Sequence, residues 1–241
     1  ADDELVLDKN ISYDDMMTDD TNYFNLRTSD ISSDVVVYLN GDKIASSTYD
    51  AGSYFQAGDV VELFENDDGD VETVAVTRYT LAKIDNVDDD LSSSLERQGA
   101  TYAIDLVDLD VGNFGDVTGT YYDDHDNSSV VLNGFSANTY TEGAVLAVAV
   151  NGTNEILDSH VTEEVNGTVS RYNSGSKASI TVDGEAYPVT TRVKGEFTSF
   201  SFNDAEYTLY VDENGYVVGF ETSGSVTIDD VYYVTGVVAD T

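Results

Sequence analysis

Apolar and polar residues alternate along most of this chain with a period of two. In residues 71–79, Val71, Thr73, Ala75, Thr77 and Tyr79 fall on one face of a strand, and the other face carries Glu72, Val74, Val76 and Arg78. Successive side chains of a strand point to opposite faces of a sheet. A period of two therefore predicts strands through most of the sequence.

Short turn sequences rich in Asn, Asp and Gly separate these strand-like segments. Asn40-Gly41 between two apolar runs is a strong hairpin signal, because both turn positions need a positive φ. The pattern predicts hairpins that pair 35–39 with 42–45, 60–64 with 71–79, 144–150 with 156–157, 180–182 with 186–189, and 207–211 with 216–220. Residues 225–228 and 231–238 continue the strand-like pattern toward the end of the sequence.

This regular spacing of strands and turns predicts an all-β fold built from tandem small β-sandwich or barrel-like modules. Helix signals are few. Residues 91–98 follow three Asp residues and precede Gly99, as in a short helix with acids at its start and a glycine stop. One turn of helix is also predicted near residues 14–20.

A weak internal repeat suggests how the modules are arranged. The segment that begins at Gly58 keeps step with the segment that begins at Gly143, so that Val71 matches Ile156 and Ile84 matches Val169. We therefore predict an acidic N-terminal segment at 1–29, β modules at 30–118 and 119–222, and C-terminal strands at 223–241. The other interpretation is that unrelated hairpins with glycine turns resemble one another.

The charge of the chain restricts its partners. The 241 residues include 47 Asp and Glu against 10 Lys and Arg, which gives a formal net charge of -37. Binding to phosphate backbones or anionic lipids depends on Lys and Arg, so neither nucleic acid nor direct membrane insertion is expected. Like charges on this scale oppose compaction. Two remedies remain open: high salt, as in a halophile, or bound divalent cations.

Two acidic segments are candidate Ca²⁺ sites, because closely spaced carboxylates around a turn suit a cation with six to eight oxygen ligands. In both places, an ordinary solvated loop remains the alternative, since Asp and Gly also favour turns on their own. The candidate ligands are Asp67, Asp68, Asp70 and Glu72 in the first segment, and Asp123, Asp124 and Asp126 in the second.

No catalytic motif stands out, so we predict that the protein is not an enzyme. The chain has no Cys and only two His, and neither His neighbours a Gly-x-Ser-x-Gly nucleophile elbow. Four Asn-x-Ser/Thr sequons are candidate glycosylation sites, at Asn10, Asn127, Asn151 and Asn166. Chance occurrence in a chain rich in Asn, Ser and Thr is the alternative.

Two stretches resemble a known family. Residues 58–79 and 206–221 are similar to the β-rich ectodomain repeats of bacterial S-layer and S-layer homology surface proteins, and the second stretch contains Tyr-Thr-Leu-Tyr-Val-Asp-Glu-Asn-Gly-Tyr at 207–216. The resemblance implies a secreted protein of a surface array or filament, often ordered by calcium. The helical modules that anchor such proteins to cell-wall glycan are not seen, so contact with that glycan would need regions outside this chain.

Together these observations predict a non-enzymatic extracellular structural protein at the cell surface. It would self-assemble into a layer or filament, with Ca²⁺ on acidic loops and with the protein itself as partner. We expect self-association through a strand at Val231, Tyr232, Tyr233 and Val234. The alternative is a cell-surface adhesin or carbohydrate-binding module that uses Tyr-rich loops.

Overall fold

The protein has an all-β fold in which strands dominate and the few helices are short. A computed structural model describes residues 3–18, 23–50, 52–88, 103–107, 143–152, 156–197 and 206–222. The strands are β1 (Asp3–Val6), β2 (Ile31–Leu39), β3 (Asp42–Ile44), β4 (Val60–Glu65), β5 (Val71–Thr77), β6 (Tyr79–Asp88), β7 (Ala103–Val107), β8 (Val145–Val150), β9 (Ile156–Val161), β10 (Glu163–Asn173), β11 (Ser179–Val182), β12 (Glu185–Pro188), β13 (Glu206–Val211) and β14 (Val217–Thr222). The helices are α1 (Tyr13–Thr18), α2 (Ser46–Tyr49) and α3 (Thr191–Glu196), with a 3-10 turn at Thr28–Asp30.

The five predicted hairpins are all confirmed, as the antiparallel pairs β2–β3, β4–β5, β8–β9, β11–β12 and β13–β14. The helical turn predicted near 14–20 is present as α1. The helix predicted at 91–98 and the strands predicted at 225–228 and 231–238 lie outside the described residues.

The first sheet has the strand order β1-β4-β5-β2-β3, in which β2 runs parallel to β5 and the other neighbours are antiparallel. Alternate residues of its strands, such as Val61 and Leu63 of β4, are buried on one face. That face packs against Leu7, Met16 and other residues of the N-terminal segment. The segment therefore completes the core of the first sheet.

The other two sheets share a second core. Their strand orders are β7-β6-β8-β9 and β12-β11-β10-β13-β14. Leu81 of β6 and Ala147 of β8 belong to the same buried cluster as Ile180 of β11 and Tyr207 of β13. Burial of these side chains gives the main favourable contribution to folding.

The chain leaves each of the first two sheets at the end of a hairpin and enters the next sheet after a single residue. One residue, Arg78, separates β5 from β6, and one residue, Thr162, separates β9 from β10. In each sheet the leading strand pairs antiparallel with the first strand of the later hairpin: β1 with β4, β6 with β8, and β10 with β13. The hairpins β4–β5 and β8–β9 occupy the two segments that the internal repeat had matched.

The cores divide the chain at different positions from the predicted module boundaries. Strand β6 lies within the range 30–118 predicted for the first module, yet it contributes to the second core. The segment 1–29, predicted as a separate acidic segment, supplies β1 and α1 to the first core. The physical reason is that the strand that directly follows a hairpin can join a different sheet. The positions of turns in the sequence do not reveal which sheet receives that strand.

Side chains at the turns join the sheets to one another. The Asn40 side chain accepts a hydrogen bond from the Arg78 N–H (2.8 Å) and donates to the Val150 carbonyl (2.8 Å), so the β2–β3 turn is tied to β8. In addition, Lys177 donates to the Asp8 carboxylate and the Thr191 hydroxyl donates to Asn10 Oδ1. The first sheet therefore contacts both of the others.

Candidate functional site

The β4–β5 turn holds the first set of predicted Ca²⁺ ligands, Asp67, Asp68, Asp70 and Glu72. The turn is closed by Asn66, whose Oδ1 accepts hydrogen bonds from the backbone N–H groups of Asp68 (2.9 Å) and Asp70 (3.0 Å). Asp67, Asp68 and Glu72 are exposed to solvent. Among the described residues, the group of three His, Asp or Glu side chains close enough to share an ion lies elsewhere.

The other predicted positions are distributed as follows. Asp123, Asp124, Asp126, Asn127 and the self-association strand Val231, Tyr232, Tyr233 and Val234 lie outside the described residues. Asn10 is exposed, and its Oδ1 also accepts from the Ala57 N–H (3.2 Å). Asn166 is exposed on β10, where its Oδ1 accepts from the Thr208 hydroxyl (2.6 Å). Asn151 is half-buried, beside the β8–β9 turn.

A cluster of ionisable groups forms where β9 meets the β13–β14 turn. Asp158 and His160 are two residues apart on β9, so both point to the same face, and Glu213 comes from the turn. One side-chain atom from each of these three residues lies within 4.8 Å of the others. The cluster joins the second sheet to the third.

The small residues of β8 allow this cluster to form. Tyr79 of β6 is in register with Ala149, which is in register with Asp158 on the far side of β8. Registered side chains share one face of a sheet. The Tyr79 hydroxyl therefore reaches across Ala149 and donates a hydrogen bond to Asp158 Oδ2 (2.5 Å). Burial, followed by this hydrogen bond, raises the pKa of Tyr79 well above its ordinary value.

His160 is fixed in one tautomer by its neighbours. Its Nε2 accepts a hydrogen bond from the Glu213 backbone N–H (3.1 Å), so the neutral ring carries its proton on Nδ1. Nδ1 lies 4.0 Å from Glu213 Oε1 and has no hydrogen-bond partner among the described residues. The ring packs edge-on against Tyr79, with centroids 4.8 Å apart.

The neighbouring Asp212 is buried, with 5% of its surface exposed. Its Oδ1 accepts hydrogen bonds from the N–H groups of Asn214 (3.0 Å) and Tyr216 (2.8 Å). Its Oδ2 has no hydrogen-bond partner among the described residues. Burial raises the pKa of Asp212, against the lowering effect of those backbone hydrogen bonds and of His160.

Beside the cluster lies an open cleft of about 400 Å³. Its walls include Val161, Tyr187 and Val211, which are apolar or aromatic. Four carboxylates also line it, and the part of the chain that the structure describes contributes no Lys or Arg to it: Glu163, Glu185, Asp212 and Glu213. The cleft is therefore suited to a cation more than to an anion.

The sequence reasoning did not predict this cluster. Asp158 and His160 carry a usable signal, since two ligand-type residues at i and i+2 on a strand share a face. Glu213, however, is 53 residues away from His160 in the chain. The β13–β14 turn comes close to His160 because the chain passes from β9 directly into β10, and because β10 pairs with β13.

The described residues include no helix that is both long enough and apolar enough to cross a membrane. No family model, no curated protein and no solved structure matches the chain.

Proposed function

We propose that this protein is a non-enzymatic structural component of an extracellular surface layer or filament. The observation that supports this proposal best is the direct passage of the chain from one sheet into the next. Arg78 and Thr162 are single-residue links, so each sheet begins where the previous hairpin ends. Such an arrangement builds a connected series of modules, as repeat proteins do. The resemblance to S-layer ectodomain repeats is consistent with it.

Self-association is the second part of the proposal. Strand β9 is an edge strand of its sheet among the described residues, and it carries the exposed apolar side chains Leu157 (44%) and Val161 (42%). Edge strands with apolar side chains favour pairing with another chain. The predicted strand at 231–234 is a second candidate for such pairing.

The third part is control by ions. A net charge of -37 makes copies of this chain repel one another in dilute buffer. Ca²⁺ that bridges exposed carboxylates of neighbouring copies, such as those of Asp67 and Asp68, would remove this barrier. In low-salt buffer, Ca²⁺ is therefore expected to promote assembly, and a chelator is expected to reverse it.

The test follows particle size after EDTA treatment, then after addition of millimolar Ca²⁺, by light scattering and electron microscopy. We expect large regular particles with Ca²⁺ and monomers with EDTA. A chain that stays monomeric under both conditions would contradict the proposal. If about 1 M NaCl promotes assembly as well as Ca²⁺ does, charge screening is sufficient and the calcium part is wrong.

A pair of variants tests the β9 edge. Val161→Lys places a charge on this strand and is expected to weaken assembly. Asp34→Asn changes the net charge by the same amount at an exposed position of β2 and is the matched control. Equal effects of the two variants would show that β9 is not the contact.

A further inference from the structure

We propose that His160 is a pH-sensitive switch: its neutral imidazole holds the backbone of the β13–β14 turn against β9, and uptake of a proton by the ring releases that backbone contact. The switch acts within one molecule and does not depend on the proposed assembly. Its parts are one ring nitrogen, one backbone N–H of the turn, and the carboxylates around them.

The His160 ring lies between the second sheet and the β13–β14 turn. His160 is in register with Ala147 of β8, which is in register with Leu81 of β6. Ala147 and Leu81 belong to the second core, so the ring lies on the sheet face that contributes to this core. The His160 side chain is only 16% exposed. A change of charge at this place therefore acts on contacts between two elements.

The hydrogen bond to the turn requires a neutral ring. Nε2 of His160 accepts from the Glu213 backbone N–H (3.1 Å), and a backbone N–H can only donate. Nδ1 then carries the proton of the neutral ring, so the ring has no free lone pair for a metal ion. A proton taken up from solvent must bind Nε2. It replaces the lone pair with an N–H bond, and the Glu213 N–H loses its acceptor.

A second set of contacts is available to the charged ring. Nδ1 of His160 has no hydrogen-bond partner among the described residues and lies 4.0 Å from Glu213 Oε1. Carboxylate oxygens of Asp158 and Glu213 both lie within 4.8 Å of a ring nitrogen. An N–H···O hydrogen bond is about 3 Å long, so a shift of about 1 Å brings Glu213 Oε1 to the Nδ1–H. The turn can therefore be held by a backbone N–H in one state and by a carboxylate in the other.

The titratable groups around the ring come from three elements of the described structure. Asp158 is on the same strand, Asp212 and Glu213 are on the turn, and Tyr79 of β6 packs edge-on against the ring. β8, the neighbouring strand in the sheet, contributes an alanine. Burial raises the pKa of Tyr79, so its hydroxyl keeps its proton. Burial raises the pKa of Asp212 and the charge of His160 lowers it, so a protonated ring favours the ionised carboxylate.

The switch also changes the cleft described above, because the turn forms part of its wall. Asp212, Glu213 and Gly215 all line this cleft. A proton on His160 places a positive charge beside these carboxylates and draws the Glu213 side chain toward β9. The cleft is therefore less acidic in the protonated state, and its wall has a different shape.

The main experiment follows the whole 241-residue chain by NMR in EDTA between about pH 8 and pH 5, where imidazoles take up a proton. We expect protection of the Glu213 amide from hydrogen exchange, corrected for the intrinsic pH dependence, to fall by about 3- to 10-fold. Its midpoint should coincide with that of the His160 ring resonances. The amides of Asn214 and Tyr216 donate to Asp212 Oδ1 and should keep their protection.

Three variants identify the titrating group. His160→Gln retains a side-chain oxygen that can accept from the turn but does not titrate, so the Glu213 amide should show no such loss of protection. His125→Gln removes the other His of the chain and is the matched control, in which the full response should remain. Asp212→Asn removes the buried carboxylate beside the ring and should also retain the response.

Three results would overturn the proposal. One is a Glu213 amide that keeps its protection while the His160 ring gains its proton. Another is a ring that stays neutral down to about pH 5. The third is a response that His160→Gln retains and Asp212→Asn abolishes, because the buried carboxylate would then be the titrating group. Should His160→Gln fail to fold, the wild-type titration decides: coincident midpoints support the switch and separate midpoints overturn it.

Discussion

Asp212 and Asn66 occupy the same position in two hairpin turns and differ only in having a carboxylate or an amide. Both side chains accept backbone hydrogen bonds through Oδ1. Asn66 is half-buried, whereas Asp212 is buried and its Oδ2 is unpaired among the described residues. Of these two turns, the β13–β14 turn therefore bears the free-energy cost of a buried carboxylate oxygen without a hydrogen-bond partner.

The raised pKa of Asp212 predicts a specific pH dependence. Because burial favours the neutral form, the folded protein retains this proton at a pH where the unfolded chain has lost it. In EDTA, Asp212→Asn should match wild type below the ordinary pKa of 3.8. Its advantage should grow as the pH rises to the folded pKa, and then stay constant. Urea unfolding at several pH values measures this, and an advantage that is largest in acid would contradict it.

In the pair Asp59–Arg78, by contrast, both oxygens of a buried carboxylate have hydrogen-bond partners. Arg78 Nε and Nη2 each lie 2.7 Å from one Asp59 oxygen, and the Asp59 side chain is 1% exposed. Arg78 also donates to the Tyr54 carbonyl (3.1 Å). Although burial opposes its charge, bonding to Asp59 raises the pKa of Arg78 above its ordinary value.

Arg78→Met should therefore destabilise the protein strongly, because it leaves the carboxylate of Asp59 buried and unpaired. We expect the free energy of unfolding to fall by about 3–5 kcal/mol. The control is Arg27→Met, in an exposed pair whose side chains are 87% and 39% exposed, where we expect less than about 1 kcal/mol. Urea denaturation of both variants measures the difference. Similar losses in the two would show that burial of the pair is unimportant.

At the scale of elements, the hairpins and their turns account for most of the architecture. The alternation of β4 and β5 sends Val61, Leu63, Val74 and Val76 to the buried face. Local turn chemistry sets each hairpin, so all five could be predicted from sequence. Contacts between turns and distant elements could not, because no local pattern records them.

Gly58, before β4, shows such a distant contact. It has a φ of +91°, and a Cβ at this position would lie 2.8 Å from Thr190 Cγ2 and 3.4 Å from Tyr216 Cδ1. Thr190 is β-branched and stiff, and Tyr216 is buried, so neither can move away easily. Close packing of the first sheet against the third therefore depends on the missing side chain.

A comparison of two glycine variants tests this contact. Gly69→Ala has a similar φ of +83° but no neighbour within 4 Å, so it should cost about 1–2 kcal/mol through backbone strain alone. Gly58→Ala should cost about 1–3 kcal/mol more, because it adds overpacking. Chemical unfolding curves of the two variants decide the matter. Equal costs would mean that the two sheets separate without penalty.

At the scale of the whole molecule, the acidic surface opposes folding as well as assembly. The 47 acidic residues far outnumber the 10 basic ones, and the ion pairs described are few and mostly exposed. The free energy of folding must therefore overcome repulsion between carboxylates. Salt weakens this repulsion, since the Debye length falls from about 10 Å at 0.1 M to about 3 Å at 1 M.

We expect the Tm of the EDTA-treated monomer to rise steadily between about 0.1 M and about 1 M NaCl. The Asp212→Asn variant should follow the same slope, because screening acts on the whole surface and not on one buried oxygen. Differential scanning calorimetry of both proteins measures the slope. A Tm that does not change with salt would exclude a dominant role for surface repulsion.

The sequence alone determined the all-β class and the five hairpins, because strand alternation and Asn/Asp-Gly turns are local properties of the backbone. The net charge of -37 is likewise a property of composition. Tertiary structure alone decided that β6 belongs to the second core, and that Asp158, His160 and Glu213 meet. The reason is that both depend on which sheet is joined by the strand that follows a hairpin. Burial of apolar side chains from residues far apart in the chain determines that choice.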